Sequence, residues 1–280
     1  MQYASKPQKQ GTIEQKIGSL YNLMMDSGRL NREGWTPLKP TLNAIDAIKD
    51  KREYQLVTAQ LDHNGESTMM FGIGVGADQK DAAWNIVSIG QGGLGLGTRD
   101  YYLSDDAQNK RVLEAYKNYL KKLFMITGSD EAAAEKKMQA VVSIETRIAK
   151  ASYDRVKLRD IEGNYHKMSY VELITNFPGI DWGNVFLASG FSAFDYVDVG
   201  QLEPIHEVEK ILAETSLDDL KTYAEAKVIS GAASQLSDDF RKASFEFSSV
   251  LTGVKQDRPR WKRAVSLVSG TLGEAIGKLY

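Results

Sequence analysis

The residue types that usually carry chemistry are sparse in this chain of 280 residues, and their spacing is poor for it. Cysteine is absent, which excludes a thiolate nucleophile, a disulfide, a cysteine-bound zinc and an iron–sulfur cluster. There are three histidines, His63, His166 and His206. His206-Glu207-Val208-Glu209-Lys210 starts like a two-histidine metal helix, in which imidazoles four residues apart share one ion. Position 210 is lysine, and a cationic ammonium cannot be the second ligand. His63 precedes an Asn-Gly turn and His166 lies beside a capping box, so the three make neither a metal triad nor an acid–base pair. The carboxylate pairs Asp105-Asp106, Asp218-Asp219 and Asp238-Asp239 could move protons. Each also stands where a helix should begin, and capping plus the helix dipole account for it more simply. No catalytic residue and no metal ligand is assigned, and no cofactor is expected within this chain.

Gly90-Gln91-Gly92-Gly93-Leu94-Gly95 follows a predicted strand and matches the glycine spacing of a dinucleotide-binding turn. That chemistry needs a helix N-terminus directly behind the glycines to face the pyrophosphate. Leu96 to Leu103 shows no helical period, so nucleotide binding is kept only as a rival reading. Lys255, Arg258, Arg260, Lys262 and Arg263 form a basic cluster at the start of the last predicted helix. Cations there oppose the helix dipole and call for carboxylate partners within the protein. With Lys plus Arg at 35 against Asp plus Glu at 37, the net charge is −2, and no nucleic-acid partner is expected.

The elements that must position these residues read as a mainly α, multi-helical lobe with one small β-hairpin. Apolar residues recur at helical spacing through Ile13–Met24, Leu42–Ile48, Val112–Leu123, Met138–Ile148 (with an extension past Tyr153), Pro204–Ile211, Leu236–Leu251 and Trp261–Leu279. Ser169 and Glu172 form a capping box. Met69, Phe71, Ile73 and Val75 instead alternate with Met70, Gly72, Gly74 and Gly76, a strand with one apolar face and one nearly bare face. Trp84 to Ile89 reads as its partner. Glycines at 179, 183, 190 and 200 make residues 178–204 the softest internal boundary. No apolar run reaches membrane-spanning length and the start lacks a signal peptide's apolar stretch. The last apolar stripe runs to the final residues without a cap, so a lobe truncated at both ends is expected.

One segment carries more. Gly92-Gly-Leu-Gly-Leu-Gly-Thr-Arg-Asp-Tyr-Tyr-Leu103 resembles the GLGLPxRDYY signature of neprilysin-type zinc endopeptidases, the family of endothelin-converting enzyme and bacterial oligopeptidases, with Gly97 in place of the usual proline. Ile144-Glu-Thr-Arg-Ile-Ala149 resembles the family's LExxIA helix, Tyr165 to Tyr170 its YNKMT segment, and Phe177 to Trp182 its FP…IDW. Trp261 to Val265 and Leu272 to Tyr280 resemble RWKRCV…LGEALGxLY. The matches fall in family order along nearly the whole chain. The lack of cysteine is closer to the bacterial members.

The resemblance implies a non-catalytic, N-terminal helical capping lobe spanning residues 1–280. The zinc-bearing half, with its HExxH helix and substrate-binding motif, follows later in such proteins. It implies zinc in the full-length parent, peptides as substrates and the catalytic lobe of the same polypeptide as partner. The lobe would close over the active-site chamber and limit substrate size. Arg99, Asp100, Tyr101 and Tyr102, with the bare glycine face of the hairpin, are expected to meet the other lobe or the chamber. The simpler reading of Arg99 and Asp100 is an ion pair that fixes the turn. For a bacterial parent an extracytoplasmic location is favoured. The alternative from another class is a stand-alone helical interaction protein without catalytic activity.

Overall fold

The computed structural model describes residues 2–279. Its α-helices, in chain order, are α1 Ile13–Met25, α2 Ser27–Glu33, α3 Lys39–Asp46, α4 Lys51–His63, α5 Asp100–Leu103, α6 Ala107–Ile126, α7 Glu131–Ala151, α8 Tyr170–Asn176, α9 Trp182–Ala188, α10 Leu202–Glu214, α11 Leu217–Ala232, α12 Asp238–Thr252, α13 Arg260–Thr271 and α14 Gly273–Gly277. The strands are β1 Phe71–Ala77, β2 Asn85–Gln91, β3 Lys167–Ser169 and β4 Tyr196–Val199. The chain forms two compact units, residues 1–37 with 233–280, and residues 38–232. The 178–204 stretch runs inside the larger unit.

Local chemistry explains most boundaries. Asp106 accepts from the N–H groups of Gln108 and Asn109 at the start of α6, and Asp130 from Ala133 at the start of α7. Ser169 and Glu172 close the capping box of α8. Each satisfies donors that the first helical turn leaves free. Gly253, at φ +71°, ends α12 in the left-handed conformation that glycine adopts without strain. Two helices stop earlier than their apolar stripes suggest. α7 ends at Ala151, where Ser152 turns extended and its hydroxyl donates to Ile148 O at 2.8 Å. The C-terminal stripe is broken into α13 and α14 at Leu272-Gly273, where glycines at 270 and 273 weaken the helix by about 1 kcal/mol each. The end of that stripe at Tyr280 lies outside the described residues.

In the smaller unit, α1 packs on α13, and two members of the basic cluster, Arg260 and Arg263, find carboxylates. Arg260 binds Asp238 at 2.7 Å, Arg263 binds Asp257 at 2.8 Å, and Arg241 spans both acids. An apolar groove of about 250 Å³ is lined by Ile17, Tyr21, Val265, Val268 and Ile276, among others.

The larger unit is built around α7, which packs against α6, α10 and α11. Val141, Ile144, Ile148, Leu120, Leu123 and Phe124 fill that interface. A second apolar centre surrounds the fully buried Trp182, whose ring meets Phe71, Phe177 and Phe186 and whose Nε1 donates to Phe177 O at 3.0 Å.

The expected hairpin is present, with Phe71 opposite Gln91 and Ala77 opposite Asn85. It is part of a larger sheet than one hairpin, of order β1-β2-β4-β3, with β2–β4 parallel and β3–β4 antiparallel. The added strands have three and four residues, too short for an alternating pattern to stand out in sequence. Gly72 and Gly76 face open space, with no described atom within 4 Å of where a Cβ would lie.

Asp78, at the end of β1, ties the hairpin to β3. It is buried and accepts from Lys167 Nζ at 2.8 Å, Tyr165 OH at 2.9 Å and Lys80 N at 2.9 Å. The Lys167 bond above all holds its carboxyl down, from 3.8 to about 2. A depressed carboxyl pKa stabilises the fold above the unfolded value and loses that contribution as pH falls through the folded one. Melting temperature should therefore drop between about pH 4 and pH 2, and Asp78→Asn should melt below wild type at neutral pH while the gap closes near pH 2. A constant gap across that range would refute the assignment.

Candidate functional site

The segment that drew attention in sequence, Gly92 to Leu103, leaves β2 and wraps the core of the larger unit before α6. What holds it is a buried carboxylate, the glutamate of the Ile144–Ala149 motif, to which the sequence alone assigned no role. Glu145 lies on the core side of α7, fully buried. Its Oε1 accepts from Lys227 Nζ at 2.5 Å, Gly95 N at 3.0 Å and Tyr116 OH at 3.1 Å. Its Oε2 accepts from Tyr102 OH at 2.8 Å, and that hydroxyl accepts from Leu96 N at 3.1 Å. Lys227, from α11, also donates to Gly93 O at 2.8 Å, beside Tyr223 OH at 2.7 Å. One ion pair thus gathers α5, α6, α7, α11 and the glycine turn.

The electrostatics suit this geometry. Burial first, and then the charge of Glu145, raise the phenols of Tyr102, Tyr116 and Tyr223 far above the ordinary tyrosine value. All three remain neutral donors at any physiological pH. Glu145 has four donors, and no solvent reaches it. A carboxylate so enclosed and so well supplied with internal donors serves the fold and is out of a substrate's reach.

Gly92, Gly93 and Gly95 are packing residues. A Cβ at Gly92 would come 3.1 Å from the backbone of Phe71, one at Gly93 would come 2.9 Å from Met70 Cα and Tyr223 OH, and one at Gly95 would collide with the Tyr116 hydroxyl. Gly93 and Gly97 take positive φ, +82° and +73°. The four-residue α5 follows and the long helix begins only at Ala107. The turn therefore presses against protein where a dinucleotide would need its phosphates, and nucleotide binding is set aside.

The four residues expected to face outward are divided by the structure. Tyr102 is buried in the hub, Tyr101 is half-buried, and Asp100 is exposed at the start of α5. Arg99 donates to Ser152 O at 2.6 Å, so the guanidinium sits at the C-terminal end of α7, where a cation is favoured by the helix dipole. The contact fixes the turn through a helix end. Gln91 reinforces the same joint, accepting from Tyr153 N at 2.7 Å and donating to Tyr153 O at 3.2 Å.

The histidines stay apart. His63 ends α4, His166 contacts Val199 O through Nδ1 at 2.8 Å, and His206 pairs with Glu209 at 3.0 Å while its ring meets Phe177. No group of three or more metal-binding side chains occurs among the described residues. An open groove of about 540 Å³ between α6 and α7 carries Lys117, Lys121 and Arg147, each paired with a glutamate. The signal for Glu145 was present in sequence, as a charged residue inside the stripe Val141, Ile144, Ile148. Lys227, between Ala226 and Val228, was the same signal on α11.

Breaking this pair should be costly because the partner charge stays buried. Glu145→Gln is expected to lose about 3–5 kcal/mol in urea denaturation. A double variant with Lys227→Met should recover part of the loss. Additive losses would show that the two charges do not act as a pair.

The whole chain, residues 1–280, matches the N-terminal profile described as peptidase family M13. It is 32% identical over 253 residues to mouse endothelin-converting enzyme 1, covering 88% of this chain and 32% of that protein. It is 24% identical to mouse membrane metallo-endopeptidase-like 1 over 262 residues, 88% of this chain and 34% of the relative. Among solved structures, the zinc metalloprotease Zmp1 of Mycobacterium tuberculosis, in complex with an inhibitor, superposes with a TM-score of 0.93 at 32% identity, over 100% of this chain and 43% of that one. PepO of Lactobacillus rhamnosus, at 17% identity, shares the fold with a TM-score of 0.78 over 97% of this chain and 43% of its own. The chain spans about a third of the length of the relatives it matches in sequence. With a match that runs from end to end and motifs in family order, this chain belongs to peptidase family M13, the neprilysin and endothelin-converting-enzyme family, as its N-terminal lobe.

Proposed function

We propose that this chain is the non-catalytic helical lobe of a zinc-dependent metalloendopeptidase, and that it encloses the active-site chamber and restricts the size of the peptides admitted. The observation that carries the reading is how the family signature is used. The carbonyl of Gly93, the N–H groups of Gly95 and Leu96 and the Tyr102 hydroxyl are all committed to the Glu145–Lys227 hub. A stretch so fully engaged in internal bonds is suited to holding a rigid wall in place. In this reading Arg99, Asp100 and Tyr101 at its outer end, with the glycine face of the hairpin, meet the catalytic lobe of the same polypeptide or the chamber it closes. Zinc is bound by that other lobe, where it would activate water for peptide hydrolysis. Closure would exclude bulk water from the reaction. For a bacterial parent we place the enzyme outside the cytoplasm.

The test uses the complete parent. Arg99→Ala should lower kcat/KM on a short peptide by about tenfold while shifting the melting temperature by only a few degrees. Unchanged kinetics would count against a chamber role. An antibody against this chain should detect a product more than twice its mass in source cells. A product of this chain's own mass would favour the alternative, a stand-alone helical interaction protein.

A further inference from the structure

The sheet has an edge along which no described strand of this chain pairs. β1 is hydrogen-bonded to β2 and to no other described strand, and at its inner end Phe71 packs on Trp182 of α9. Asp78 N donates to Trp84 O at 2.8 Å, continuing the β1–β2 register by one pair. Antiparallel pairs alternate between hydrogen-bonded and open. Gly72, Gly74 and Gly76 therefore turn their backbone groups toward β2, and Phe71, Ile73, Val75 and Ala77 turn theirs to the free edge. From Val75 to Ala77 the strand is exposed.

Edge strands are normally blunted by charge, proline, a bulge or a covering element. Phe71-Gly-Ile-Gly-Val-Gly-Ala77 has no charge and no proline, and it is paired without interruption over all seven residues. Two large apolar side chains stand out of the same hairpin, Val75 at 60% exposure and Trp84 at 71%. A row of alternating N–H and C=O groups with strand spacing is complementary to an extended backbone and to little else. Glycine at every second position leaves the adjoining face without side-chain pockets, so the occupant would be read through its main chain with little demand on sequence. That suits the peptides on which a protease acts.

We propose that the free edge of β1 is a docking strand for extended peptide substrate, which adds to the sheet as a fifth strand beside β1. The inference rests on the reading of this chain as a peptidase lobe, and it adds a binding place on the lobe itself. The occupant lies antiparallel or parallel to Phe71–Ala77, exchanging hydrogen bonds with Ile73 and Val75 and covering the exposed Val75 side chain.

The experiment measures binding to this 280-residue chain of a short fluorescein-labelled peptide of alternating threonine and valine, by fluorescence anisotropy. A second peptide of the same sequence is N-methylated throughout its centre and so lacks the backbone donors. Saturable binding of the first, with the second weaker by at least about tenfold, is expected. Val75→Pro removes one outward N–H at a position where an edge strand tolerates proline. It should weaken binding by about tenfold while the melting temperature stays within a few degrees. Should that variant misfold, Gly76→Lys serves in its place: its side chain has open space, and an edge lysine opposes strand addition. No binding, equal binding of the methylated peptide, or unchanged binding by a folded variant would overturn the proposal. Concentration-dependent dimerisation abolished by Val75→Pro, with no peptide bound, would overturn it in favour of edge-to-edge pairing of two copies. The measurement needs neither zinc nor peptide hydrolysis, so its failure removes the docking strand alone. Failure of the parent to cleave peptides would strike the enclosing-lobe reading separately.

Discussion

The ion pair between Glu145 and Lys227 is the constraint on which the larger unit depends. It lies where five pieces of chain meet: α5, α6, α7, α11 and the glycine turn. An isolated carboxylate at that depth would be strongly disfavoured by desolvation. Four donors on Glu145, and the carbonyl of Gly93 as a second acceptor for Lys227, make the arrangement tenable. The pair also fixes geometry in a way that apolar packing does not. Each donor must arrive at one carboxylate oxygen along a narrow set of directions, so the turn cannot slide along the helices.

Rigidity spreads outward from that centre through directional bonds. The turn is pinned at Gly93 and Gly95, and at its far end Arg99 caps α7. At its near end Gln91 clasps Tyr153 and accepts no freedom from its own backbone, whose N–H binds Gln201 at 2.9 Å. Gln201 continues to Asn164 at 2.9 Å, and Asn164 binds Lys157 O and Asp160 O. A run of amides thus carries the order of the helical core to the loops beside the sheet. Asp78 closes the circuit from the hairpin side with Lys167 and Tyr165. Against this background the edge of β1 stands apart for its length, seven uncharged residues paired on one side by β2, where the opposite edge, β3, has only three.

Much of the architecture could be read from residues alone because its causes are local. The caps at Asp106, Asp130 and Ser169 act within three residues, and amphipathic stripes need only a count of spacing. The hairpin was legible because glycine alternates with β-branched and aromatic residues. What escaped was short or nonlocal. β3 and β4 hold few residues and exist because β2 offers an edge to pair with. The break at Leu272 interrupts a stripe whose apolar spacing continues past it.

The sequence by itself determined the helical class, the caps, the hairpin and, through motifs in order, the family. It also determined that the chain lacks thiol chemistry and a complete two-histidine metal helix. Only the tertiary structure decided that Glu145 and Lys227, 82 residues apart, neutralise each other. Only it decided that Gly92, Gly93 and Gly95 serve close packing, that Tyr102 turns inward while Asp100 turns out, and that Arg99 serves a helix end. The physical reason is the range of the forces involved. Propensity and capping act over a few residues of chain, whereas the stability of a buried charge depends on which distant atoms the fold brings to within hydrogen-bond distance.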